Sequence, residues 1–192
     1  MKISDAVKFF IRYIRSPRNT GAVCPSSRFL ARKMAMSAGV SANELKETNS
    51  LIVELGAGTG AVTKALIDVG FAKNLVSVEF DSSLYEILVQ KYPSVRILHA
   101  NAEFLSEALG DDSKRVSAII SSLPLLSLPK ECVANIISQI EETLQSGGKY
   151  VQYTYKIFGS NKNVCFKNMR LVSSSIVLAN IPPARVDVYE KI

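Results

Sequence analysis

The chain has 192 residues, 47% of them apolar, with 23 lysines and arginines against 17 aspartates and glutamates, for a formal net charge of +6. That length suits a single domain with a sizeable core. Cys24, Cys132 and Cys165 are odd in number and scattered, and His99 is the single histidine, so neither a disulfide framework, a metal centre nor Ser-His chemistry is expected.

The charge is unevenly placed: residues 1 to 36 carry eight basic side chains and one acid, Asp5, a net of +7, so the remaining 156 residues sum to −1. A protein that wraps nucleic acid spreads its basic charge, whereas this excess sits on one amino-terminal arm. No run reaches the roughly 18 apolar residues that span a bilayer. Arg12 and Arg15 would interrupt the apolar region of a signal peptide. The expected location is cytoplasmic, peripherally associated with the inner face of the membrane.

The first element predicted is a helix over residues 4 to 15. Ile3, Ala6, Val7, Phe10, Ile11 and Ile14 share one arc, with Asp5, Lys8, Arg12 and Arg15 opposite. Ser16-Pro17 ends it. Three uses suit such a helix: lying on an anionic membrane through Lys8, Arg12 and Arg15, capping the domain, or touching RNA phosphates. The apolar face favours the membrane, where each basic residue contributes about 1 kcal/mol. After a loop, Ser26 or Ser27 can cap a second helix running to about Ala38, where Gly39 stops it. Residues 1–38 are therefore expected to form the arm and 39–192 the catalytic domain.

From Leu51 onward, strand and helix patterns alternate. Strands are expected near 51–55, 75–79, 95–98, 117–122, 149–155, 169–178 and 184–190, and helices near 60–70, 82–91, 103–109 and 130–145. The first five strands predict a parallel, doubly wound sheet; the last two, joined by Asn180-Ile-Pro-Pro183, predict an antiparallel hairpin at its edge. The result is an α/β fold with seven mostly parallel strands, the Rossmann-like sheet common among methyltransferases.

The first strand runs into Glu54-Leu-Gly56-Ala57-Gly58-Thr59-Gly60. Glycines at this spacing let a ligand approach the main chain and reach positive φ at little cost. The bend is one residue shorter than the G-x-G-x-x-G that cradles a dinucleotide, and the acid before it suits a cationic amino-acid tail. S-adenosylmethionine fits both features. The second strand ends at Glu79, nineteen residues after Gly60, where a carboxylate can accept from a ribose diol, with Phe80 next to it. After the third strand, Asn101 and Ala102 stand where adenine would lie. Asn101 can accept from the adenine amino group, cap the next helix, or do both.

The fourth strand leads into Ser122-Leu123-Pro124-Leu-Leu-Ser-Leu-Pro129. Enzymes that methylate exocyclic adenine nitrogens carry an amide or acid and an aromatic ring here, to hold and stack the base. This stretch offers hydroxyls, carbonyls and an apolar wall, which suits an amine attached to an apolar body; a Pro-rich structural loop is the alternative. Tyr153 and Tyr155 alternate onto one face of the fifth strand. Their rings suit a nitrogen becoming cationic, or simply pack in the sheet.

Taken together, Ser16-Pro17, Gly21-Ala-Val-Cys-Pro-Ser-Ser-Arg28, Glu54 to Gly60, Ser122 to Pro129, Gln152 to Tyr155 and Asn180-Ile-Pro-Pro-Ala-Arg-Val186 resemble the bacterial phospholipid N-methyltransferases. The resemblance implies a class I enzyme that uses S-adenosylmethionine to methylate the head-group amine of phosphatidylethanolamine. It depends on an anionic membrane surface and a phospholipid substrate. Ser26, Ser27, Arg28, Leu123, Pro124 and Arg185 become candidates for substrate binding, with Arg28 favoured for the lipid phosphate. Two positions depart from the pattern: Asn101 stands where an acid is usual and Ser122 where glycine is common. Two alternatives remain at this stage: a ribosomal RNA adenine methyltransferase, and a cofactor-binding module without turnover.

Overall fold

The computed structural model describes residues 27–159 and 164–192. The expected helix over 4–15, with Lys8, Arg12 and Arg15, and Ser26 lie outside the described residues. In chain order the elements are α1 (Arg28–Met36), α2 (Ala42–Thr48), β1 (Leu51–Leu55), α3 (Ala61–Asp68), β2 (Leu75–Glu79), α4 (Ser82–Lys91), β3 (Arg96–His99), α5 (Leu105–Leu109), β4 (Val116–Ser121), α6 (Lys130–Thr143), β5 (Leu144–Thr154), β6 (Met169–Val177) and β7 (Ala184–Lys191).

The seven strands form one sheet in the order β3-β2-β1-β4-β5-β7-β6. The first five pair in parallel. β7 runs antiparallel between β5 and β6, which leaves β6 at the edge. The order reverses at β1, so the carboxyl ends of β1, β2 and β4 face a common crevice, the place where open α/β sheets bind ligands.

The period of two along β1 divides the core. Ile52 faces α1, α2 and α3 with Leu30, Met34, Leu45, Val62 and Leu66, while Val53 and Leu55 face α5 and α6 with Leu105, Val133, Ile136 and Ile140. Helices on both faces explain why β1 and β2 are buried at every position. The described part of the expected arm, residues 27–38, is packed into this core: Leu30, Ala31, Met34, Ala35 and Ala38 are all buried. Ser27 caps α1 by accepting from the Leu30 N–H at 3.3 Å.

Three differences from the sequence reading have local causes. Helix α2 was not expected, although Ser41 and Glu44 form a reciprocal capping box in which each side chain accepts from the other's N–H. β5 begins five residues earlier than expected, at Leu144, because Gly147 takes φ 76° and the irregular stretch before Lys149 still belongs to the strand. The expected helix over 103–109 is a short 3-10 turn at Ala102–Phe104 followed by α5.

Met34→Ala should lower unfolding stability by about 2–5 kcal/mol, the usual result of truncating a fully buried side chain. A chemical denaturation curve within about 0.5 kcal/mol of wild type would show instead that α1 is a detachable appendage.

Candidate active site

The bend after β1 is fixed from three sides. The N–H groups of Gly56 and Ala57 donate to Val78 O at 2.9 and 3.3 Å, and the Ser122 N–H donates to Leu55 O at 2.9 Å, continuing both parallel ladders beyond β1. The Gly60 N–H closes a turn onto Ala57 O at 2.9 Å. From α4, Tyr92 Oη donates to Gly60 O and Lys91 Nζ to Thr59 O, each at 2.9 Å.

The three glycines have different reasons to be glycine. All take positive φ: 72° at Gly56, 58° at Gly58 and 85° at Gly60. A Cβ on Gly60 would lie 2.5 Å from the Tyr92 ring, and one on Gly56 2.8 Å from Leu123 Cδ2, so these two serve close packing. A Cβ on Gly58 would have only Gly56 O within 4 Å. The open side of the bend is therefore at Gly58, with Thr59 exposed beside it.

Glu79 connects this bend to the next crossover. One carboxylate oxygen accepts from the Gly58 N–H at 2.7 Å and the other from the Asp81 N–H at 2.8 Å. Burial pushes its pKa up against the pull of these amides. Each oxygen has a second lone pair, so the carboxylate can still accept from a ribose diol. Phe80 is exposed, and its carbonyl lies 3.0 Å from His99 Nε2. His99 sits exposed on edge strand β3, with its ring stacked on Tyr85 at 5.1 Å.

Glu54 is fully buried on the α3 side of β1. Its Oε2 accepts from Ser77 Oγ at 2.6 Å and Thr63 Oγ1 at 2.7 Å, whereas its Oε1 is buried with no hydrogen-bond partner. Desolvation, aided by the neighbouring charge of Glu79, outweighs the two hydroxyl donors and pushes the pKa up to about 7. An orphaned carboxylate oxygen at this depth requires a proton or a cationic donor. Ser77 and Thr63 were not singled out from the sequence; the signal was a hydroxyl at an inward position of an otherwise apolar run.

Asn101 caps the turn after β3: its Oδ1 accepts from the Glu103 N–H at 3.0 Å and its Nδ2 donates to Glu103 Oε1 at 3.2 Å. Ala102, next to it, is buried. Ser122, Leu123 and Pro124 are half-buried at the carboxyl end of β4, and Leu123 lies over Gly56. This loop is held by a buried relay the sequence reading missed, in which Tyr150 Oη donates to Gln152 Oε1 at 2.6 Å and Gln152 Nε2 donates to Leu123 O at 3.0 Å.

The expected catalytic tyrosines share a face. Tyr153 and Tyr155 meet edge to face with centroids 5.6 Å apart and lean on the core beneath α1. Of the expected substrate residues, Ser27 uses its hydroxyl as a helix cap, and exposed Arg28 holds its guanidinium 5.0 Å from the Phe29 ring centroid. Arg185 is a correction to the expectation. Its Nε and Nη2 donate to Asp187 Oδ2 and its Nη1 to Ile157 O and Gly159 O, so the guanidinium clamps a loop and is not free for a lipid phosphate.

A family model described as ribosomal RNA adenine dimethylase matches residues 25–151. The ornithine lipid N-methyltransferase of Singulisphaera acidiphila is 24% identical over 157 residues, 79% of each chain. Ribosomal RNA small subunit methyltransferase A of Nostoc is 32% identical over 112 residues, 58% of this chain, which spans only 38% of that protein. Among solved structures, 1,6-didemethyltoxoflavin-N1-methyltransferase of Burkholderia thailandensis, with bound S-adenosylhomocysteine, has a TM-score of 0.67 at 13% identity, covering 100% of this chain and 92% of that one. Magnesium protoporphyrin IX methyltransferase of Synechocystis, with bound S-adenosylmethionine, has a TM-score of 0.62 at 10% identity, covering 100% and 99%.

Sheet order, open glycine bend, orphaned acid and these relatives together define an S-adenosylmethionine-dependent methyltransferase. The residues present fit that cofactor: Gly58 leaves room along the bend, Glu54 Oε1 can take an ammonium, and Glu79 can accept from a sugar. When bound, the cofactor supplies a methyl group on a sulfonium, already a strong electrophile. The chain belongs to the ribosomal RNA adenine dimethylase family.

A carboxyl whose pKa is raised on folding binds its proton more tightly in the native state, so its stabilising share is complete below the unfolded value and is lost as pH rises through the folded one. For Glu54 the window runs from 4.5 to about 7, and in the cofactor-free protein the loss is about 3 kcal/mol at 1.36 kcal/mol per unit. Glu54→Gln should remove this share of the slope in denaturation curves taken from pH 5 to 8. A slope identical to wild type would show that Glu54 is ionised throughout.

Proposed function

We propose that the enzyme methylates the head-group amine of a membrane lipid of the phosphatidylethanolamine type, working on the cytoplasmic face of the membrane as a peripheral protein. The observation that carries this reading is the loop at the carboxyl end of β4. Between Ser122 and Pro129 it holds four leucines and two prolines and no aromatic ring or side-chain amide. A flipped adenine needs a stacking partner and a hydrogen-bonding amide or acid at this edge. An amine on an apolar body needs a dry wall, and half-buried Leu123, which lies over Gly56, suits that part.

The relative named as an ornithine lipid N-methyltransferase supports a lipid amine, because its match extends over 79% of both chains. Transfer to an amine asks the protein mainly to hold a neutral nitrogen in line with the methyl and to exclude water. The buried Tyr150–Gln152 relay keeps the loop backbone in place for that task. The rings of Tyr153 and Tyr155 have the chemistry that suits a nitrogen gaining positive charge. Exposed Arg28, whose guanidinium lies over the Phe29 ring, suits the lipid phosphate, and Lys8, Arg12 and Arg15 suit the anionic leaflet.

A second reading, methylation of adenine in ribosomal RNA, is favoured by the family model and by the Nostoc relative. Incubation with labelled S-adenosylmethionine and, separately, phosphatidylethanolamine vesicles and ribosomal RNA distinguishes the two. Label is expected in the lipid. Label in RNA alone would make the second reading correct.

A further inference from the structure

Two segments lie at the carboxyl edge of the sheet, the edge that also carries the glycine bend. One is residues 157–159, which follow β5; the other is the turn 178–183 between β6 and β7. The register places Thr154 opposite Arg185 and Val177 opposite Ala184, so both segments leave the sheet on the same side as the glycine bend. Arg185 ties the first segment to the start of β7 by donating to Ile157 O at 3.0 Å and Gly159 O at 2.9 Å. Asn180 ties the second to α1: its side chain, 1% exposed, donates to Pro182 O at 2.7 Å and accepts from the Ser27 N–H at 3.0 Å.

The polar groups of both segments thus turn inward and hold the backbone, while the large apolar side chains point out. Phe158 is 83% exposed, Leu178 77% and Ile181 82%. Single exposed apolar residues are ordinary, but three on tethered segments at one edge suit an interaction surface. The charge around it indicates the occupant. Helix α1, capped by Ser27 beside Asn180 and packed on β6 and β7, carries exposed Arg28, Arg32 and Lys33 and no acidic residue. Apolar residues flanked by basic charge match the chemistry of an anionic bilayer, apolar below and negative at its surface.

We propose that Phe158, Leu178 and Ile181 form a docking rim that enters an anionic lipid surface and seats the mouth of the crevice against it. This rests on the lipid-amine reading above and adds a point of membrane contact built on described residues of the catalytic domain. The rim explains how a head group reaches the β4 loop without leaving the membrane, because the edge that carries that loop is itself held at the interface.

The chain contains no tryptophan, so a single introduced one reports only its own surroundings. Ile181→Trp and Leu178→Trp proteins should show a blue-shifted emission on adding phosphatidylglycerol–phosphatidylethanolamine vesicles, with quenching by acyl-brominated lipid. Changing Phe158, Leu178 and Ile181 together to serine should cut vesicle binding and methylation of vesicle lipid by tenfold or more. It should leave untouched the methylation of a water-soluble short-chain phosphatidylethanolamine. Unshifted emission together with unchanged vesicle binding would overturn the rim. So would a thermal midpoint several degrees lower in the serine protein, since that would mean these side chains are covered by the chain itself or by a second copy. If vesicles bind through the rim yet no lipid of either kind is methylated, the docking surface stands and the lipid-amine function falls.

Discussion

The carboxylate of Glu79 is the interaction on which this site depends. It is anchored at the end of β2, and its two oxygens take the amides of Gly58 and Asp81, so one side chain sets the bend after β1 and the turn into α4 together. A carboxylate accepting two backbone N–H groups at 2.7 and 2.8 Å in a buried setting is among the stronger arrangements available to a protein. The bend itself has no side chains with which to hold its shape. Its geometry is imposed by Glu79 on one side and by Tyr92 and Leu123 packed against Gly60 and Gly56 on the other.

Glu54 adds a second carboxylate with a different task. Its two hydroxyl donors crowd onto one oxygen and leave the other bare, and Glu79 nearby makes ionisation harder still. The pair is thus stressed in the absence of a positive charge and relieved by one. A cationic amino acid is the complementary charge, and it arrives attached to the sugar that Glu79 can receive. The acceptor side is built on the opposite principle. What holds the β4 loop is the neutral relay from Tyr150 through Gln152 to Leu123 O. Burial raises the Tyr150 phenol well above its ordinary range, so it stays a proton donor to that relay at any physiological pH.

Much of this was readable from the residues, and the misses have physical causes. Strands β1 and β2 announced themselves because burial on both faces left runs that are apolar except for Glu54 in the first and Ser77 and Glu79 in the second, and the G-x-G-x-G spacing after β1 marked the cofactor bend. The three glycines looked equivalent in the sequence, and only the packed neighbours separate Gly58, which faces open space, from Gly56 and Gly60, which avoid clashes. Arg185 became a substrate candidate through the resemblance carried by Asn180 to Val186. Its fate was set by Asp187 two residues on, which lies on the same side of β7 and turns the guanidinium toward the loop carbonyls. Long-range partners such as Ser27 and Asn180, 153 residues apart, leave no local trace at all.

The account stands or falls on the claim that the open space at Gly58 is where the cofactor meets the main chain. Gly58→Ala introduces one methyl group into that space, at a strain of about 1 kcal/mol for a left-handed alanine, and touches no packed neighbour. Titration calorimetry with S-adenosylhomocysteine should find affinity reduced at least tenfold in a protein that still unfolds cooperatively near the wild-type midpoint. Wild-type affinity in that variant would contradict the account and place the cofactor elsewhere.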